Sequence, residues 1–181
     1  MPIVRSLVRY AFLSAVLLIA ACASAGERAG PTPLDLPGFC VLGPRVAGGG
    51  QPPVEVLETL SEASYGLVIN LRRPTEPLAA EEGDLVRAAG VAYAAMPLGG
   101  DDLTADHARR LTALLEAHPD GHVLLHCASG NRVGALWGLL VGLRDGLDVA
   151  GTLEVARASG MRSPTLAKCV RLAVGGAAGG R

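Results

Sequence analysis

Four residues separate Cys127 from Arg132 in the run His126-Cys127-Ala128-Ser129-Gly130-Asn131-Arg132. The thiol ends an apolar stretch (Val123, Leu124, Leu125), a loop of small residues follows, and the arginine opens an apolar helix. Such a loop directs successive backbone N–H groups into one concavity, and the helix N-terminus adds positive potential. Both favour anions, a cysteine thiolate among them. Cys127 is therefore the expected nucleophile. The fork of Arg132 matches two oxygens of a phosphate or sulfate. Ala128, Ser129, Gly130 and Asn131 form the expected substrate-binding loop: Gly130 permits close backbone approach, and Ser129 and Asn131 offer polar groups to the loop or the substrate. By strand alternation the His126 ring should face away from the loop and support it.

Displacement on an oxyanion ester needs a proton for the leaving oxygen. Asp101 and Asp102 are the candidate general acids, with Asp102 the first choice. The ordinary alternative is a pair of solvated acids leading into a helix. Arg72 is a candidate for extra phosphate affinity, whereas Arg73 reads as the solvated end of a strand. His118, His122 and His126 recur every four residues, but Pro119-Asp120-Gly121 interrupts them, so they do not share a helix face and no metal site is expected.

The elements that must position these groups follow from the pattern. Residues 39–42 read as a first strand, and Gly48-Gly49-Gly50 with Pro52-Pro53 as a turn. A helix starts near Pro53. Leu67-Val68-Ile69 is a buried strand, 78–89 a helix with acids early and Arg87 late, and 91–96 the next strand. Thr104 caps a helix bearing Leu111, Leu114 and Leu115. Strand 122–126 leads into the cysteine loop. The helix over 133–143 carries no charge and should be buried on all sides. Two more helices are expected at 148–159 and 164–173. Alternating strands and helices imply an α/β fold with a mostly parallel central sheet and helices on both faces. Ligands in such folds sit beyond the carboxyl ends of the strands, where Asn70–Arg73, Pro97–Asp102 and Cys127–Arg132 all fall.

The first 21 residues are expected to be a signal segment. Arg5 and Arg9 precede a 12-residue apolar stretch, too short for a span of about 20 residues. Ile19-Ala20-Ala21-Cys22 resembles a bacterial lipobox, which implies lipid anchoring at Cys22 or secretion, on the periplasmic side of the cell envelope. Membrane contact is expected only through this segment. Residues 22–37 read as a flexible linker, 38–174 as one domain and 175–181 as a disordered tail. Removal of the leader takes the net charge from −1 to −3 and leaves no basic run, which argues against nucleic acid. A monomer without cofactors is expected. Of the remaining cysteines, Cys40 and Cys169 either bridge in an oxidising compartment or are small buried residues.

The loop resembles the phosphate loop of cysteine-dependent tyrosine and dual-specificity phosphatases. Gly49-Gly50-Gln51-Pro52, Val68-Ile69-Asn70-Leu71-Arg72 and Met96-Pro97-Leu98, in that order, narrow the resemblance to the phosphatase-like domain of beta-lactamase hydrolase-like proteins, the DUF442 family. It spans roughly residues 38–173. It implies the cysteine-dependent phosphatase fold, a phosphorylated substrate, a phosphocysteine intermediate on Cys127 and phosphate binding by Arg132. Asp101 or Asp102 would supply the acid by position. Two departures stand out. Phosphatase loops place five residues between cysteine and arginine, whereas four, as here, are found in rhodanese sulfurtransferases. The hydroxyl residue that normally follows the arginine is Val133. The leading expectation is thus a phosphate monoesterase, with a sulfurtransferase using a Cys127 persulfide, or a non-catalytic oxyanion-binding module, as alternatives.

Overall fold

The computed structural model describes residues 30–178. The expected leader, Cys22 and residues 179–181 lie outside the described residues. Five strands, β1 (Cys40–Gly43), β2 (Val46–Gly49), β3 (Tyr65–Asn70), β4 (Ala92–Ala95) and β5 (His122–His126), form one sheet in the order β1-β2-β5-β3-β4. β2, β5, β3 and β4 run parallel, and β1 is antiparallel to β2 at the edge. The sheet is mixed, with β5 at its centre.

Six helices cover the faces: α1 (Val54–Glu58), α2 (Glu82–Ala88), α3 (Ala105–Ala117), α4 (Asn131–Asp145), α5 (Val149–Ala158) and α6 (Pro164–Ala178). The strands sort their side chains by alternation. Leu67, Ile69, Val123 and Leu125 pack with α3 to α6, while Val68, Leu124 and Ala47 pack with Leu57, Leu60 and Val86 on the α1–α2 side. Burial of each such leucine contributes about 1.5–3 kcal/mol, so the sheet's position is strongly determined.

The glycine run at 48–50, expected as a turn, lies largely within β2. A Cβ on Gly48 would stand 2.7 Å from both Leu42 and Val133, and one on Gly49 would stand 2.1 Å from Leu36. Here the missing side chain serves close packing. The result is a hairpin, β1–β2, in place of a single strand and turn.

Three other boundaries differ from expectation. α2 begins at Glu82 because residues 74–81 form turns that aim Glu76 at the site. α6 continues to Ala178, four residues into the segment expected as a loose tail. Part of the expected linker is packed: Pro31 and Leu36 are buried, Tyr65 Oη donates to the Thr32 carbonyl (2.7 Å) and the Gly50 amide to that of Pro37 (2.7 Å). Cys40 and Cys169 are unbridged.

α4 is buried along residues 133–140, consistent with its lack of charge. Gly134, Gly138 and Gly142 recur along one face. A Cβ there would stand 2.3 Å from the Met161 nitrogen, 2.4 Å from the Ala156 Cβ and 2.2 Å from Thr152 Oγ1, respectively. This bare stripe lets α5 and the α5–α6 loop close onto the helix that carries the cysteine loop.

Candidate active site

β5 delivers Cys127 to the carboxyl edge of the sheet, and α4 begins four residues later. Gly130 makes the reversal at φ +79°, a conformation that suits glycine. Its amide then donates to Cys127 Sγ at 3.2 Å. The Cys127 amide donates to the Gly49 carbonyl (3.2 Å) and the Gln51 amide to the Ala128 carbonyl (3.3 Å), so the end of β2 braces the loop from one side. Cys127 is buried at 1% exposure, while Ala128 and Ser129 are exposed.

Arg132 leaves the first turn of α4 and is held by two loops. Its Nη1 and Nη2 donate to Glu76 Oε1 (2.6 Å) and Oε2 (2.8 Å), and Nη1 also to the carbonyls of Leu98 (3.0 Å) and Leu71 (3.4 Å). The loops after β3, β4 and β5 therefore meet at one guanidinium. Apart from the Cys127 sulfur, the Arg132 Nε–H and one Nη2–H meet no protein acceptor among the described residues, which leaves a two-pronged donor edge that suits an oxyanion. The paired Arg132 holds the Glu76 carboxyl down at about 2 against burial, with help from the Arg73 amide and Arg72. Reciprocally, the Glu76 bond raises Arg132, and the Cys127 sulfur is among the other groups that do so.

Beneath the loop lies a buried polar network. Glu82, 1% exposed, accepts from His126 Nε2 (2.8 Å), Asn70 Nδ2 (3.0 Å) and Gln51 Nε2 (2.6 Å). Asn70 Nδ2 also donates to Tyr93 Oη (3.0 Å), and Asn70 Oδ1 accepts from the Arg72 amide (2.7 Å). Burial pushes the Glu82 carboxyl up, but the bond and charge of His126, the bond of Gln51 and the charge of Arg72 bring it below its ordinary range. An ionised Glu82 accepts from His126 Nε2–H, while Nδ1 is buried without a hydrogen-bond partner. His126 is thus tied to Glu82 beneath the loop.

The expected acids sit on the exposed side. Asp102 Oδ1 accepts from the Gly99 amide (2.7 Å), and Arg73 lies 3.4 Å from Asp102 and 3.8 Å from Asp101. Asp101 is 76% exposed and Asp102 51%. A side chain at Gly99 would collide with Arg73 and with Asp102, so this glycine makes room for the pair.

Residues 41–143 match the family described as beta-lactamase hydrolase-like protein, phosphatase-like domain. The chain belongs to that family. A beta-lactamase hydrolase-like protein of Xylella fastidiosa is 32% identical over 99 residues, which cover 52% of this chain and 23% of the relative. The chain thus matches less than a quarter of the length of that relative. Among solved structures, a DUF442 protein from Shewanella putrefaciens superposes with a TM-score of 0.64 at 21% identity, covering 79% of this chain and 94% of that one. P. aeruginosa TpbA superposes with a TM-score of 0.60 at 17% identity, covering 84% and 91% respectively. A variant of TpbA in complex with phosphotyrosine gives 0.54 at 18% identity over 76% and 90%. The fold is that of the cysteine-dependent phosphatases.

Within this phosphatase-like domain two of the expected substrate contacts are engaged elsewhere. Arg72 is buried, and each of its side-chain nitrogens has an internal partner: Nη1 on Gln51 Oε1, Nη2 on the Pro77 carbonyl (2.5 Å) and Nε on Glu76 (3.4 Å). Arg72, expected to add phosphate affinity, is thus held within the framework around the site. The Asn131 side chain accepts from the amides of Arg162 (2.7 Å) and Ser163 (3.0 Å) and donates to Ser129 Oγ (3.3 Å), which clamps the cysteine loop to the α5–α6 loop. The residues missed from sequence are Glu76, Glu82 and Gln51. An early acid on a helix reads as dipole compensation, so Glu82 carried no separate signal. Glu76 lies in a Pro-rich turn, where a carboxylate reads as solvated.

Proposed function

We propose that the domain hydrolyses phosphate monoesters through a phosphocysteine on Cys127. The observation that carries the reading is the pairing of the Gly130 amide on Cys127 Sγ with an Arg132 fixed by Glu76, whose open edge adjoins the same loop. The thiolate attacks phosphorus as the ester oxygen leaves with a proton from Asp102 or Asp101. Water then attacks the phosphocysteine and gives its proton to the same carboxylate. Inorganic phosphate and the thiolate are released. The loop amides and the free edge of Arg132 hold the equatorial oxygens, whose charge must be balanced in the transition state. For the acid to act, Asp102 must exchange its bond to Gly99 for the leaving oxygen. Family membership and the phosphotyrosine complex of TpbA support a phosphorylated substrate. Val133 offers no hydroxyl to the departing sulfur, so the second step is expected to limit turnover.

The test is phosphate release from p-nitrophenyl phosphate and a phosphotyrosine peptide, beside thiocyanate formation from thiosulfate and cyanide. Release should fall by at least about a thousandfold in Cys127→Ser. Thiocyanate without phosphate would assign the four-residue loop to sulfur transfer instead.

A further inference from the structure

Next to the cysteine loop, α5, the α5–α6 loop and α6 enclose a groove of about 650 Å³. It falls within the size of sites for small ligands. Arg157, Arg162, Lys168 and Arg171 line it, and no carboxylate does. All four are exposed, and among the described residues none of their side chains has an ion-pair or hydrogen-bond partner. Of the other described arginines, Arg45, Arg72, Arg73, Arg87, Arg109, Arg132 and Arg144 each have at least one partner, and Arg110 has none. Lys168 and Arg171 stand three apart on one face of α6. In a chain whose net charge is negative, four cations without protein partners gather around one recess, which favours an anion there.

The groove is coupled to the chemistry by position. Asn131, the neighbour of Arg132, accepts the amides of Arg162 and Ser163, which form the groove's rim. Gly160 adopts φ +106°, and a Cβ there would meet the Gly130 carbonyl oxygen at 3.5 Å. The rim is therefore pinned against the very loop that holds Cys127. We infer that the groove receives a second phosphate group of the substrate, so that the preferred substrate is a small ester carrying more than one phosphate. The inference rests on the phosphatase reading. Concentrated charge and arginine forks favour phosphate over the dispersed carboxylates of an acidic peptide.

The experiment compares orthophosphate and tripolyphosphate as competitive inhibitors of p-nitrophenyl phosphate hydrolysis by the whole chain. Tripolyphosphate should bind about tenfold more tightly than orthophosphate, and the exposed double substitution Lys168→Ala/Arg171→Ala should erase that advantage. kcat/KM for p-nitrophenyl phosphate, which lacks a second anion, should stay within about twofold. Lys168→Glu/Arg171→Glu should reverse the preference. An advantage that is absent from the native protein, or that survives both double variants, overturns the inference. So does a loss confined to an acidic phosphotyrosine peptide, which would make the groove a peptide surface. If the native protein hydrolyses nothing, calorimetric titration with tripolyphosphate still reads the groove. A loss of affinity in the variants then upholds the second-anion site while the phosphatase reading falls.

Discussion

The two sides of the Cys127 loop are built in opposite ways. Below it, Glu82, His126, Asn70, Gln51 and Arg72 form a buried polar network with short internal bonds. Beside it, Arg73, Asp101 and Asp102 are half or more exposed, and their ion pairs span 3.4 and 3.8 Å. Charges in the first group have no alternative partner in water, so breaking one leaves another uncompensated. Charges in the second exchange partners with solvent at small cost. In the proposed mechanism the contrast separates two tasks. The anion cradle must be rigid before substrate arrives, whereas a proton donor must change partners during each cycle.

Substitutions should expose this difference. Glu82→Ala should have the largest effect, a destabilisation of about 3–5 kcal/mol in urea unfolding, because it strands His126 and Asn70 in the interior. Asp102→Asn should leave stability within about 0.5 kcal/mol, yet lower kcat about a hundredfold on an aryl phosphate with a poor leaving group. A similar loss of stability in the two variants would end the comparison. Undiminished kcat in Asp102→Asn would transfer the acid role to Asp101.

Glu76 stands between the two sides, half in the scaffold and half on Arg132. Glu76→Gln should lower kcat/KM about tenfold by loosening Arg132. Its folded-state value of about 2 lies below the ordinary 4.5. Glu76 therefore contributes stability above the ordinary carboxylate range, and that contribution is lost as the pH falls towards 2. Melting temperatures measured over that window should fall less steeply in Glu76→Gln than in the native chain; parallel curves would remove Glu76 from the acid sensitivity. The smallest expected effect is a few-fold gain in steady-state turnover for Val133→Thr, offset by about 1 kcal/mol of stability for burying a hydroxyl. Unchanged burst and steady-state rates would mean that sulfur departure is not limiting.

Much of the sheet and of the site's central loop was legible in the sequence. Strand β5 follows from its apolar run, and the helix after it from its uncharged length. The hairpin β1–β2 was not legible, because glycines read as turn formers whether their bareness serves φ or close packing. Only Leu36, Leu42 and Val133, brought from three distant places, make glycine necessary at 48 and 49. Arg72 and Arg73 illustrate a related limit. Adjacent and identical in type, they separate into a buried framework residue and an exposed partner of the acids.

By itself the sequence determined the cysteine loop, since thiol, glycine reversal and arginine lie within six consecutive residues and their relation is local. It also determined that the loop sits at a strand end before a helix, from apolar patterning alone. Only the tertiary structure decided what fixes the arginine and the histidine, because Glu76 and Glu82 lie 56 and 44 residues away along the chain. It likewise decided that the unpaired cations of α5 and α6 adjoin the loop. That juxtaposition depends on the bare glycine face of α4, which admits α5 and the α5–α6 loop at backbone distance, and close packing of this kind leaves no signature in the spacing of charged residues.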